Sequence, residues 1–278
     1  MLQPCRIAGI VLAVTMLVSN VASAQDAAPS GPPARFVPQT GTFDYVKRAV
    51  MIPMRDGVKL RTVILIPRGA RNAPMILTRT PYGADARFGA ASSHITMEEG
   101  QGDPADALVL EDGYIRVMQD VRGQHMSEGD YVMTRPFVGP LNPTTVDHST
   151  DTYDTIDWLV KHVPESNGRV GMTGISYDGF TTLAALVHPH PALKAVAPIN
   201  PMVDGWMGDD FFHYGAFRQV NLSYILDQES RGSGWWSSDY DMYTEALRAV
   251  SAGGYAQSRG LEQLEFWKKI AAHPAYDA

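Results

Sequence analysis

The sequence predicts an α/β domain in which helices cover a mostly parallel β-sheet. Strand patterns alternate with helix patterns between about residues 45 and 200, which is typical of βαβ units. Hydrophobic residues make up 45% of the 278 residues, enough for a sizeable core. A Gly-x-Ser-x-Gly sequence also stands between an apolar strand pattern and an apolar helix pattern, which is the setting of a sharp strand-to-helix turn.

The first two strands form a predicted hairpin. Two β-rich runs, at about residues 45–52 and 58–66, flank the sequence Arg55-Asp56-Gly57. An Asp-Gly pair between apolar runs is a strong signal for a tight turn, so we expect these two runs to pair antiparallel.

The later strands are predicted from short apolar runs. The stretch "APMILTRTPYG" predicts a strand that ends in a turn, and residues 113–119 predict a strand that leads into a glycine-containing loop. Further along, "GRVGMTG" predicts a strand, "GFTTLAALVH" a helix and "LKAVAPIN" another strand. Continuous apolar runs of this kind fit parallel strands that are buried on both faces.

One amphipathic helix is predicted at about residues 150–162. Apolar side chains recur there at helical spacing and share one face: Tyr153, Ile156, Leu159 and Val160. Ser149 or Thr150 supplies the predicted N-cap.

The character of the sequence changes from residue 201 onward. Tryptophans and tyrosines occur there among glycines and charges, and strand patterns fade, so we expect helices and long loops that form part of a cap over a site. The predicted organisation is therefore a signal peptide at 1–24, an extended arm at 25–44, the N-terminal part of the α/β domain at 45–200, and a partial helical cap at 201–278.

The N-terminus has the pattern of a secretory signal. Arg6 precedes an apolar stretch at residues 7–18, and Ala22-Ser23-Ala24 supplies small residues for cleavage before Gln25. A membrane anchor is the alternative, but the apolar run falls short of the ~20 residues that span a bilayer. We therefore expect a periplasmic or secreted protein without a stable membrane anchor.

Composition and motifs exclude several function classes. The only cysteine, Cys5, lies within the predicted signal, so the mature chain has no thiol for disulfides, metal binding or catalysis. The net charge of −7 and the lack of a basic run argue against nucleic acid as a partner. No metal-ligand spacing, phosphate-binding loop or dinucleotide fingerprint occurs, so we expect no cofactor.

The stretch "GMTGISYDGF" contains the strongest candidate for catalysis. In a nucleophile elbow, the serine sits at the apex between strand and helix, and the flanking glycines allow the two elements to approach closely. Ser176 holds the apex position, and Gly174 and Gly179 flank it. The alternative is an ordinary serine in a turn, but the strand before it and the helix after it favour a nucleophile.

Four motifs in order resemble one enzyme family: "TRTPYG", "DVRGQHMSEGDY", "GMTGISYDGF" and "DGWMGDDFFHYGAF". They resemble the α-amino-acid ester hydrolases, within the α/β-hydrolase superfamily that includes cocaine esterase and the X-Pro dipeptidyl-peptidases. The resemblance runs from about residue 45 to the end. It implies an α/β-hydrolase fold, a serine hydrolase that acts on esters or amides of α-amino acids, and acyl transfer to amines such as a β-lactam nucleus.

The resemblance also implies roles for individual residues. Ser176 matches the nucleophile, Tyr177 provides a backbone N–H for the oxyanion, and Tyr82 matches the tyrosine whose hydroxyl is the second oxyanion donor. Asp210, or Asp209 if the alignment is shifted by one, matches a carboxylate that binds the substrate's α-ammonium group. Asp120 and Arg122 are expected to be structural and to tie loops beneath the site. Relatives assemble as oligomers, so a homo-oligomer is a further expectation.

The catalytic acid and base are not identified in this sequence. A serine hydrolase of this fold needs an Asp or Glu and then a His after the serine, and the resemblance implies that both lie on later strands, beyond Ala278. We therefore expect a catalytically incomplete fragment that also lacks the later strands and a C-terminal jelly-roll domain. The alternatives are an X-Pro dipeptidyl-peptidase or general acyl esterase of the same superfamily, and a non-catalytic remnant.

Overall fold

The computed structural model of the protein describes residues 45–87, 109, 112–204, 207–208, 212–218 and 241–273. The chain divides into two compact units, Met1–Thr40 and Gly41–Ala278, and all of the described residues belong to the second. The predicted signal peptide and N-terminal arm lie outside the described residues.

A six-stranded mixed sheet forms the centre of the described structure. Its strands are β1 (Tyr45–Pro53), β2 (Lys59–Pro67), β3 (Ala73–Thr80), β4 (Ile115–Asp120), β5 (Ser166–Ile175) and β6 (Leu193–Ile199). Their spatial order is β1-β2-β4-β3-β5-β6. The β1–β2 and β2–β4 pairs are antiparallel, whereas β4–β3, β3–β5 and β5–β6 are parallel. The predicted α/β class, with a mostly parallel sheet, is confirmed.

The N-terminal hairpin forms as predicted. Strands β1 and β2 pair along their whole length, from Tyr45 opposite Pro67 to Pro53 opposite Lys59. The turn closes with a hydrogen bond of 2.9 Å from the Gly57 N–H to the carbonyl oxygen of Met54.

Two helices pack on one face of the sheet, over its main apolar core. They are α2 (His148–His162) and α3 (Tyr177–Ala184). The core joins alternate residues of β2 to β5 with Ile156 and Leu159 of α2, all of them buried. The short helix α1 (Ala84–Arg87) lies on the other face, where Ala84 packs with Val63, Leu65 and Met118. This alternation along β2 and β4 follows from the two-residue period of a strand.

The start of α2 differs from the predicted start. The helix begins at His148 with Asp147 as N-cap, and the Asp147 carboxylate accepts a hydrogen bond of 2.8 Å from the Thr150 N–H. Ser149 and Thr150 lie inside the first turn instead of capping it. The Thr150 hydroxyl accepts a hydrogen bond from the Asp147 N–H, so the two residues form a reciprocal capping box.

Polar side chains join α2 to the sheet beside the apolar core. The buried guanidinium of Arg79, on β3, donates to the side-chain oxygen of Gln119 at 2.7 Å and to the carbonyl oxygen of His148 at 2.9 Å. Thr152 and Thr155 of α2 are also buried and bond to Arg79 and Gln119. These bonds fix the first two turns of α2 against the carboxyl ends of β3 and β4.

The described part after β6 contains short elements. Two short strands, β7 (Phe212–His213) and β8 (Ala216–Phe217), pair antiparallel. They are followed by α4 (Met242–Ala249), α5 (Ala252–Arg259), a 3-10 turn (Leu261–Gln263) and α6 (Glu265–Ala272). Tyr255, Ala256 and Leu261 form a small buried cluster among these helices. Within the described ranges, no helix has the length and apolar character needed to span a membrane.

Candidate active site

Ser176 occupies a strained position between β5 and α3. Its backbone angles are φ 59° and ψ −119°, in a region that residues other than glycine rarely adopt. Two backbone hydrogen bonds hold it there: the Ser176 N–H donates to the carbonyl oxygen of Ile199 at 3.0 Å, and the Phe180 N–H donates to that of Ser176 at 2.9 Å. The half-buried side chain therefore stands at the carboxyl end of β5, as a nucleophile elbow requires.

The two glycines of the motif are required by packing. A Cβ atom on Gly174 would lie 2.3 Å from the carbonyl oxygen of Asp178, and one on Gly179 would lie 2.6 Å from that of Ile199. Both contacts are shorter than any side chain tolerates, and both are with backbone. The Gly-x-Ser-x-Gly pattern thus reflects the close approach of α3 to β5 and β6.

The backbone of Tyr177 follows Ser176 directly, at the start of α3. Its N–H lies in the first turn of α3, where the helix dipole is positive. Its side chain points into the core instead, because the ring is buried and the hydroxyl donates to the carbonyl oxygen of Met133 at 2.6 Å. The Tyr177 phenol is therefore engaged in the core, and the use of its N–H at the site stays a prediction.

Tyr82 lies in a turn just after β3, next to Tyr177. The two rings meet edge to face, with their centroids 6.5 Å apart. Tyr82 is half-buried and packs beside Val121 and Met133 in the aromatic cluster that also contains Phe180. The structure thus places Tyr82 next to Tyr177, the residue that follows Ser176.

The backbone of the Tyr82 turn, residues 80–84, is held by the segment that follows β4. The Ala84 N–H donates to the Asp120 carboxylate at 2.6 Å, and the Val121 N–H donates to the carbonyl oxygen of Thr80 at 2.9 Å. The ring Nε2 of His125 lies 2.8 Å from the carbonyl oxygen of Pro81, so it donates to that oxygen. Burial raises the pKa of Asp120, and the Ala84 N–H opposes that rise.

Arg122 has the structural role that the sequence suggests. Its guanidinium lies between two carboxylates, 2.7 Å from Asp151 on α2 and 2.7 Å from Asp56 in the hairpin turn. Hydrogen bonds from Arg122 lower the pKa of Asp56, against the effect of its burial. The segment after β4 therefore ties the hairpin, α2 and the Tyr82 turn together.

Asp178 and Arg87 form a buried charged contact that the sequence did not reveal. The Asp178 carboxyl is two residues after the serine and is almost fully buried, and its Oδ2 lies 3.6 Å from Nη1 of Arg87. Burial raises the pKa of Asp178 to about 6, although Arg87 and a hydrogen bond from Thr80 act in the opposite direction. Among the described residues, Asp178 Oδ1 has no hydrogen-bond partner. The position of Asp178 within the motif is the one signal that could have pointed to it.

The described histidines do not supply a base for Ser176. His148 is buried against the rings of Tyr177 and Phe180, and burial lowers its pKa to about 4, so it stays neutral. His190 lies against Tyr153 and Asp157, and His213 packs on Tyr214. Within the described part of the chain, the Ser176 hydroxyl has no hydrogen bond to a histidine.

The predicted ammonium-binding carboxylates are not part of this geometry. Asp209 and Asp210 lie outside the described residues. In the described part of the chain, no cluster of three or more His, Cys, Asp or Glu side chains is arranged to hold a metal ion.

Comparisons with known proteins agree with the elbow geometry. A family model described as X-Pro dipeptidyl-peptidase (S15 family) matches residues 56–278. Cocaine esterase from Rhodococcus sp. (strain MB1 Bresler) is 34% identical over 155 residues, which are 56% of this chain and 23% of the esterase.

Two solved structures resemble nearly all of this chain. A structure of an α-amino acid ester hydrolase is 56% identical with a TM-score of 0.80, covering 90% of this chain and 42% of its own. A structure of an aminopeptidase from a marine sediment archaeon, Thaumarchaeota archaeon, is 55% identical with a TM-score of 0.79, covering 92% and 42%. This chain therefore spans less than half of the length of either protein.

Proposed function

The chain belongs to the X-Pro dipeptidyl-peptidase (S15) family, and from this membership we propose that the protein is a serine hydrolase that forms an acyl-enzyme on Ser176. The observation that carries the proposal is the strained conformation of Ser176 at the carboxyl end of β5, at the start of the helix whose first residue is Tyr177. A conformation of this kind costs free energy, of the order of 1–3 kcal/mol, and it is typically retained at functional sites.

The proposed reaction has two steps. In the first, Ser176 Oγ attacks the acyl carbonyl carbon while a histidine outside the described residues takes the hydroxyl proton, which then passes to the leaving alcohol or amine. In the second, water attacks the acyl-enzyme, and the acid and the free serine are released. If an amine attacks the acyl-enzyme in place of water, the acyl group is transferred to that amine.

Negative charge develops on the carbonyl oxygen in each step. We assign its stabilisation to two donors, the Tyr177 N–H and the Tyr82 hydroxyl. A phenol O–H is a hydrogen-bond donor, so the Tyr82 hydroxyl can donate to an oxyanion. The Tyr177 N–H adds the positive end of the α3 dipole.

For the substrate, we propose an ester or amide of an α-amino acid. The two solved structures that most of the chain resembles are named an α-amino acid ester hydrolase and an aminopeptidase, and both names imply an acyl group that carries an amino group. Asp210, with Asp209 as the alternative, is the proposed carboxylate for that ammonium. The aromatic cluster beside Ser176 offers an apolar wall for the acyl side chain.

An X-Pro dipeptidyl-peptidase or a general acyl esterase is the second candidate. The family match and the similarity to cocaine esterase favour it. Relative rates on an X-Pro amide, a phenylglycine ester and a simple acyl ester separate the three activities.

The test is hydrolysis of the 4-nitrophenyl ester of phenylglycine by the full-length protein and its Ser176→Ala variant. We expect the variant to lose a factor of about 10⁴ or more in kcat, because the acyl-enzyme cannot form. Mass spectrometry of the quenched wild-type reaction should locate the acyl group on Ser176. A variant that keeps its rate would contradict the proposal.

The same assay tests the proposed ammonium site. Asp210→Asn should weaken hydrolysis of the amino-acid ester but leave the matched ester without the amino group unchanged, and Asp209→Asn tests the alternative residue in the same way. An unchanged preference in both variants would exclude this role for the pair.

A further inference from the structure

We infer that Arg87 is a positioning residue for the oxyanion donor Tyr82 and links it to the nucleophile elbow. The inference rests on the proposed function, because it assumes that the Tyr82 hydroxyl donates to the oxyanion. It assigns a role to a residue that lies neither in the Gly-x-Ser-x-Gly motif nor in the Tyr82 turn.

The guanidinium of Arg87 lies over the ring of Tyr82. The central carbon of its guanidinium lies 5.3 Å from the ring centroid, within the range of a cation–π contact. Helix α1 makes this contact possible: the Arg87 N–H donates to the carbonyl oxygen of Gly83 at 3.2 Å, which brings the side chain back over the turn. The edge of Tyr177 contacts the same ring, so the orientation of the phenol depends on both neighbours.

The same guanidinium also reaches the elbow. Its Nη1 lies 3.6 Å from Oδ2 of Asp178, in the first turn of α3. Asp178 is buried, and the Thr80 hydroxyl, at the end of β3, also bonds to its carboxylate. Because Ser176 is two residues before Asp178, the Arg87 side chain connects the nucleophile's helix to the oxyanion donor.

The chemistry of arginine fits this role. A guanidinium stays protonated in proteins, so the charge beside Tyr82 is permanent. A positive charge over a phenol ring draws electron density from it and strengthens the hydroxyl as a hydrogen-bond donor. Since the oxyanion carries its full negative charge only after attack, the gain is larger in the transition state than in the bound substrate. Arg87 should therefore act on kcat more than on KM.

A double-mutant cycle in the full-length protein tests the inference, with the phenylglycine 4-nitrophenyl ester as substrate. We expect Tyr82→Phe to lower kcat by about 10²–10³. Arg87→Met, which keeps the apolar stem without the charge, should lower kcat about tenfold with KM nearly constant. In the Tyr82→Phe background, Arg87→Met should change kcat less than about twofold, because the hydroxyl it acts through is absent.

Two variants control for a loss of fold. Arg87→Lys keeps a charge at the ring and should recover part of the rate. Arg61→Met removes an arginine of β2 that pairs with Asp85. Asp85 lies on α1, as Arg87 does, and the distance between Arg61 Nε and Asp85 Oδ2 is 2.8 Å. It should leave kcat within about twofold of the wild type, because it does not alter the contact between Arg87 and Tyr82.

The outcomes separate this inference from the proposed function. If Ser176→Ala and Tyr82→Phe both keep the wild-type rate, the proposed function fails. If both lose activity but the effects of Arg87→Met and Tyr82→Phe multiply, Arg87 does not act through the phenol and the inference alone fails. A second readout needs no turnover: the ¹³C ring resonance of Tyr82, assigned with Tyr82→Phe, should shift in Arg87→Met and not in Arg61→Met. An unchanged resonance in Arg87→Met would also overturn the inference.

Discussion

The nucleophile elbow, residues 174–179, and the Tyr82 turn, residues 80–84, meet at the same site but are held in different ways. The elbow is specified by neighbours in the sequence, since Gly174 and Gly179 allow the close approach that places Ser176. The Tyr82 turn depends on distant residues: Asp120 bonds to it across 36 positions and His125 across 44. The elbow is therefore specified by its own residues and by Ile199 on the next strand, β6, whereas the Tyr82 turn depends on residues farther along the chain.

The largest expected effect comes from a substitution that disrupts the elbow. In Gly174→Ala, the new Cβ atom would lie 2.3 Å from the carbonyl oxygen of Asp178, so β5 and α3 must move apart. We expect the free energy of unfolding to fall by about 3 kcal/mol or more, because the clash is with backbone and cannot be relieved by a rotamer change. Chemical denaturation followed by circular dichroism measures the loss.

A glycine without such a constraint is the matched control. In helix α5, a Cβ atom on Gly253 would have its nearest neighbour at 4.0 Å, so Gly253→Ala should be neutral or stabilise by up to about 1 kcal/mol. Equal losses in the two variants would show that the elbow glycine has no special packing role.

A smaller effect concerns Asp178, where the elbow meets Arg87. Burial raises the pKa of this carboxyl from 3.8 to about 6. Its contribution to the free energy of unfolding is therefore complete below the unfolded-state pKa of 3.8, and it is lost as the pH rises through about 6. The shift corresponds to about 3 kcal/mol at 1.36 kcal/mol per unit. Relative to Asp178→Asn, the wild type should therefore lose up to about 3 kcal/mol of unfolding free energy between pH 4 and pH 7.

When the wild type is compared with Asp178→Asn, the contributions of the other titrating groups to the pH dependence cancel. His148, for example, has a lowered pKa of about 4 and makes the wild type less stable as the pH falls, but it does so equally in both proteins. A difference between wild type and Asp178→Asn that is constant with pH would mean that Asp178 titrates normally and that its burial has little cost.

The parts of the fold that follow from local patterns were predicted from the sequence. The hairpin, the strands on either side of the elbow and the position of Ser176 at its apex all depend on short-range signals, such as Asp-Gly in a turn and paired glycines at a close contact. The roles of Tyr82 and Tyr177 are predictions from the family resemblance. In the structure, Tyr177 follows Ser176 at the start of α3, and its ring meets the ring of Tyr82 edge to face.

Long-range polar contacts could not be predicted in the same way. The buried face of α2 includes Thr152 and Thr155, which look like solvent-exposed residues until Gln119 and Arg79 are brought beneath them. The same limit applies to the N-cap of α2, since Ser149, Thr150 and Asp147 are all good caps by residue type. It applies also to the contact of Arg87 with Asp178, which no spacing in the sequence encodes.

The smallest expected effect comes from a substitution that removes one long-range hydrogen bond to the Tyr82 turn. In His125→Asn, the shorter side chain cannot reach the carbonyl oxygen of Pro81, while asparagine tolerates the positive φ of 46° at this position. Loss of one such bond should lower the free energy of unfolding by about 1 kcal/mol. The hydrolysis rate should fall as well, because the turn that carries Tyr82 is less firmly held.

The matched control for this bond is a histidine whose contact is local. The ring Nδ1 of His162 lies 2.8 Å from the carbonyl oxygen of Trp158, one helical turn away and exposed to solvent. We expect His162→Asn to cost less than about 0.5 kcal/mol and to leave the rate unchanged, because the bond holds nothing beyond its own helix. If the two variants lose the same activity, the rate does not depend on how the Tyr82 turn is held. If only His125→Asn loses activity, the long-range bond positions the oxyanion donor, and the two halves of the site differ in function as well as in construction.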